Sequence, residues 1–105
     1  MLHFLSHERT DAYRLALAVA RWVRAAHFPA GDASLRDQVR RATESVVLNL
    51  AEGCGREGLD RRRHFRIAAG SAAEACAVLD LVDLPEGAAR QQDLRRVVAM
   101  LCKMR

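Results

Sequence analysis

Apolar residues recur at three- and four-residue steps in four stretches of this 105-residue chain, and no stretch alternates as a strand would. Such spacing lays the apolar side chains along one face of a helix. In the first stretch the stripe is Ala12, Leu15, Ala16, Val19, Trp22, Val23 and Ala26, with Thr10 or Asp11 placed to cap its start. Pro29, Gly31 and Asp32 break the pattern. The second stretch opens at Ser34, with Asp37 three residues on as a near capping box. It continues through Leu35, Val39, Ala42, Val46 and Leu50 to Gly53 and Gly55, which are expected to close the helix in the left-handed conformation. The third carries one stripe of Phe65, Ala68, Ala69, Ala72, Cys76, Leu79 and Val82, and a second face of Ile67, Ser71, Val78 and Leu81. A helix apolar on two faces is either central in its bundle or covered by another subunit. After Pro85 the fourth stretch places Leu94, Val97, Val98, Leu101 and Cys102 inward. The pattern predicts helices over about 11–26, 35–53, 60–83 and 86–104. Short connections between them give an all-α, antiparallel up-down-up-down four-helix bundle, one domain spanning 1–105.

Two polar strings interrupt the apolar faces. Asn49-Leu50-Ala51-Glu52-Gly53 lies on the second helix and Gly70-Ser71-Ala72-Ala73-Glu74 on the third. Polar groups are costly to bury without partners. Ser45, Asn49 and Glu52 share a face at i, i+4 and i+7, and Ser71 and Glu74 share one at i and i+3. In an antiparallel pair both sets meet, and the expectation is a structural hydrogen-bond network in which Glu52 or Glu74 pairs with an arginine such as Arg41. The competing reading is a Glu52–Glu74 carboxylate pair holding a metal. It lacks the Glu-x-x-His motifs that di-iron bundles use, because no histidine follows either glutamate by three.

Composition adds a thin core. Half of the residues are hydrophobic but only 5% are aromatic, so alanine, leucine and valine do the packing, and burial of a further face in an oligomer is expected. The net charge is +4, and Lys103 is the only lysine. Arginine suits bidentate contact with phosphate, although a GC-rich genome gives the same excess. Cys54, Cys76 and Cys102 form no CxxC pair, the N-terminus has no signal-peptide pattern, and no run is long enough to cross a membrane. A cytoplasmic protein is the expectation.

Chemistry is sparse. His3 and His7 stand four apart without an evident third ligand, so no metal and no cofactor is expected. The Gly53–Gly58 turn lacks the strand and the GK[ST] ending of a P-loop. Cys54 beside Arg56 has no ordered base, and nothing forms a nucleophile–base pair, so no catalytic residue is assigned and no enzyme is expected. Arg61, Arg62, Arg63 and Arg66, with Arg56 before them, crowd the start of the third helix, where the dipole is already positive. A phosphate would relieve that crowding, and these five are the candidate nucleic-acid contacts; a solvated charged face balanced by Glu57 and Asp60 is the alternative. No aromatics interleave with them for base stacking.

Asp11-Ala12-Tyr13, Gln38-Val39-Arg40-Arg41-Ala42 leading to Ser45, Asn49–Gly53, Phe65, Ile67-Ala68, Gly70-Ser71, Glu74 and Met100-Leu101 occur in an order that resembles the four-helix-bundle proteins encoded in intervening sequences of bacterial 23S rRNA genes. The likeness runs from about Asp11 to Met104. It implies an antiparallel bundle that forms a ring-shaped homopentamer, with no catalytic residues to carry over. It also implies kinship with the accessory variability determinant of diversity-generating retroelements, which works with a reverse transcriptase and binds nucleic acid. Two functions follow as expectations: an oligomeric bundle binding RNA or DNA through arginines, or a structural adaptor for a protein such as a reverse transcriptase.

Overall fold

The computed structural model describes residues 5–8 and 10–104. Among them are four helices, α1 (Asp11–Ala25), α2 (Ala33–Cys54), α3 (Gly58–Leu81) and α4 (Gly87–Lys103), and no strand. α1 starts where Thr10, in extended conformation, accepts a hydrogen bond on its Oγ1 from the Tyr13 backbone N–H at 3.1 Å. α2 starts earlier than the Ser34 capping pattern suggests. The Asp32 N–H donates to the Pro29 carbonyl at 3.0 Å, which turns the chain. The Asp32 carbonyl then accepts the first helical bond from Arg36 at 2.9 Å. Asp32 is therefore the N-cap, and Ser34 already lies within the helix.

The end of α2 also differs from expectation. Gly53 is inside the helix and buried, and Gly55 caps it at φ −88°. The left-handed glycine is Gly58, at φ +59°, where the chain enters α3. Gly53 is required for closeness instead: a Cβ there would overlap the Phe65 ring and press on His64 Cβ.

Each helix packs on two neighbours, α1 on α2 and α4, and α3 on α2 and α4, so the four make a square. Side-chain pairs give the directions. Ser45 meets Ser71 and Asn49 meets His64, which sets α2 against α3. Gln91 of α4 donates to the Cys76 carbonyl of α3 at 2.9 Å. Arg24 near the end of α1 pairs with Glu44 of α2, and Arg90 at the start of α4 lies 5.9 Å from the Trp22 ring of α1. Consecutive helices run antiparallel, up-down-up-down.

The core is built from small and branched side chains. Val19, Val39, Val46, Leu50, Leu94, Val97 and Leu101 are fully buried, with Ala16, Ala68, Ala72 and Ala75 between them. Phe65 is the one buried aromatic among the described residues. Thr43, the buried polar residue, returns its hydroxyl to the Val39 carbonyl at 2.9 Å, which satisfies it within its own helix. Of the residues expected inward, Cys102 lies at the surface, and on the second face of α3 Ile67 and Leu81 are exposed, whereas Val78 is buried. Among the described residues no helix is long and apolar enough to cross a membrane.

Candidate nucleic-acid interface

The polar strings meet along the seam between α2 and α3, but only part of the expected network forms. The Ser45 and Ser71 hydroxyls are 2.7 Å apart across the seam. Asn49 Nδ2 donates to the Ser45 carbonyl at 3.0 Å and reaches its Oγ at 3.2 Å. A carbonyl can only accept, so the amide nitrogen must face it, and Oδ1 is left to face His64 Nδ1 at 3.0 Å. His64 Nδ1 therefore carries the hydrogen. Its Nε2 points towards Asp60, 3.9 Å away. Sequence reasoning missed His64. The signal was its place between Asp60 and Phe65, on the α2-facing side of α3.

The two glutamates stand outside this network. Glu52 is exposed and pairs with Arg56 at 3.1 Å. Glu74 is exposed, and so is Arg41; neither has a hydrogen-bond or ion-pair partner among the described residues. The expected pairing of Arg41 with Glu52 or Glu74 inside the bundle does not occur, because Arg41 and Glu74 both point outward. Glu52 and Glu74 are not brought together either: the seam sets the level of Glu52 beside His64, several turns from Glu74. Among the described residues no three His, Cys, Asp or Glu side chains converge as metal ligands. His7 packs edge-on against Tyr13, with ring centres 4.5 Å apart, and His3 lies outside the described residues.

The five arginines at the start of α3 divide sharply. Arg61 folds back over the end of α2. Its Nε donates to the carbonyls of Gly53 and Arg56 at 3.1 and 2.9 Å, and Nη2 donates to the Cys54 carbonyl at 3.1 Å. The Gly53 and Cys54 carbonyls belong to the last turn of α2, which leaves them without intrahelical partners, and a cation there also complements the negative end of the dipole; the Arg56 carbonyl lies just beyond the helix. Arg61, expected to contact nucleic acid, is thus the C-terminal cap of α2. Arg56 bridges Glu52 and Asp60 at 3.1 and 3.0 Å. The Glu52 hydrogen bond, then the Asp60 charge, push its guanidinium pKa above the ordinary value. Arg63 stands 3.5 Å from Asp60.

Arg62 and Arg66 have no such partner among the described residues. One turn apart on α3, they line a cleft of about 40 Å³ with Phe65, Ala69, Leu101 and Cys102, where α3 meets the end of α4. Further along the α3–α4 side, Arg95 of α4 and Asp80 of α3 both act on the Cys76 thiol. Burial raises the Cys76 pKa, Arg95 opposes that shift, and Asp80 adds to it. Burial likewise raises the Cys54 thiol, only partly offset by Arg61. The desolvated Cys54 thiol therefore resists ionisation.

Among the described residues, the first turns of α3 thus combine arginines engaged by carbonyls or carboxylates with two, Arg62 and Arg66, that face a cleft without an acidic partner. No curated protein matches this sequence. Residues 8–101, nearly the whole chain, match the sequence model of the 23S rRNA-intervening sequence protein, and with the four-helix architecture this establishes that the chain belongs to that family.

Proposed function

We propose that this protein is a non-enzymatic, self-assembling cytoplasmic bundle that contacts RNA phosphates through arginines on its α3–α4 side. The family's tie to 23S rRNA genes supports an rRNA-related role. The observation that carries the reading is the isolation of Arg62 and Arg66, two guanidiniums one turn apart over a single cleft with no carboxylate partner among the described residues. Holding two cations together costs free energy that a phosphate would repay. Arg61, Arg56 and Arg63 are committed to carbonyls or carboxylates and contribute less. In a homopentamer, the assembly that the family likeness suggested, five copies of the cleft would add weak contacts by multivalency.

Affinity for a single-stranded RNA, measured across a range of salt, tests this. Each phosphate contact contributes a slope of about −0.7 in log affinity against log salt for single strands. The double variant Arg62→Gln/Arg66→Gln should bind more weakly and flatten the slope. Arg56→Gln/Arg63→Gln should change it little. Equal slopes for the first variant and the parent would dismiss the cleft. No binding by the parent at low salt would leave the adaptor reading, with a protein such as a reverse transcriptase as partner.

A further inference from the structure

The outer face of α3 and the groove between α1 and α2 are unlike each other, and each has what the other lacks. Ile67, Gly70, Glu74, Ala77 and Leu81 follow at steps of three, four, three and four, so they form one ridge along the outside of α3. Ile67 is 41% exposed and Leu81 70%. Between them Gly70 and Ala77 keep the ridge low, and Glu74 stands at its middle without a partner among the described residues. The groove between α1 and α2 encloses about 410 Å³ over Leu17, Ala20, Val47 and Leu48. Leu48 is 64% exposed there although it sits mid-helix. The Arg24–Glu44 pair bounds one end of the groove. Arg21 stands on its rim with no acidic partner among the described residues.

We propose that the α3 ridge of one copy seats in the α1–α2 groove of the next, with Glu74 meeting Arg21 across the junction. This rests on the assembly reading above and names its surfaces. A helix ridge packing between two helices is a favoured arrangement, and the single unpaired charge on each surface has the opposite sign to the other. The two surfaces differ, so the contact is head-to-tail and not a two-fold dimer. They also lie on different sides of the square bundle, so repeating the contact turns at each step, as a ring requires. Arg66 stands one turn before Gly70, so the Arg62–Arg66 cleft borders the ridge on its α4 side.

Sedimentation of the full chain at several concentrations tests the proposal. The parent should assemble. Glu74→Arg and Arg21→Glu should each raise the dissociation constant roughly tenfold or more, because each places like charges together. Combining Glu74→Arg with Arg21→Glu should restore assembly. Ile67→Asp, at an exposed position, should give monomers with unchanged helical circular dichroism. If the parent assembles and the single reversals assemble equally well, this interface is wrong and self-assembly stands. If the combined variant stays as dissociated as the singles, Glu74 does not meet Arg21. A monomeric parent overturns both the interface and the assembly, and gives these surfaces to a different partner.

Discussion

The inner and outer sides of α3 are cut from one helix and are finished differently. Towards α2, its polar groups are all answered: Ser71 by Ser45, His64 by Asn49, and Arg61 by the last carbonyls of α2. Away from the core, Ile67, Glu74 and Leu81 stand exposed, and Glu74 has no hydrogen-bond or ion-pair partner among the described residues. The two sides carry similar residue types, so composition does not separate them. Completion does. A polar group answered inside the chain serves the fold, and one left open is available to something outside it.

The sharpest way to break the inner side is at the joint of Gly53 and Phe65. Phe65→Ala removes the only buried aromatic among the described residues and should destabilise by about 3–5 kcal/mol, read as a lowered urea midpoint at fixed protein concentration. Gly53→Ala should cost about 1–3 kcal/mol through overpacking, since its Cβ overlaps the ring. The two positions share one space, so Gly53→Ala added to Phe65→Ala should cost much less than it does alone. Strict additivity would mean that the ring moves aside freely.

Arg61 is the next test, because it separates a cap from a nucleic-acid contact. Arg61→Gln loses three charge-assisted bonds, two to carbonyls in the last turn of α2 and one to the Arg56 carbonyl just beyond it. The group is half-buried, so a loss of about 1–2 kcal/mol is expected. RNA affinity per folded molecule should stay near the parent's. The opposite outcome, stability kept and binding lost, would move Arg61 back to the interface.

The four helices were legible because periodicity reports one side of each helix against a core, and all four have one. The polar seam was legible in part. Ser45, Asn49 and Ser71 announced themselves as polar residues on apolar faces, and a hydroxyl or amide there must find a partner close by. Glu52 and Glu74 did not follow, since a longer side chain a fraction of a turn further round reaches water, and spacing alone does not give that angle. The arginines were the least legible. Arg61, Arg62 and Arg63 are consecutive, and adjacent residues on a helix point about 100° apart. One run therefore sends its members to a helix end, to a cleft and to an acidic neighbour. Gly53 was misread for a related reason: a glycine near a helix end suggests a left-handed turn, yet here the need is for room beside Phe65, which lies twelve residues further on.

The smallest expected effect is the most discriminating about the outer side. Glu74 is exposed and unpaired within the described residues, so in an isolated chain Glu74→Gln should change stability by no more than about 0.5 kcal/mol. The isolated chain is obtained in the Ile67→Asp background, where the ridge is spoiled. In the parent background the same substitution removes a charge that faces the next copy. Its cost there should grow with protein concentration, because assembly contributes to stability by mass action. A cost equal in both backgrounds would place the Glu74 partner inside the chain. A cost in the parent alone, rising with concentration, would place it in a neighbour, and the contrast between the two sides of α3 would then be one between folding and assembly.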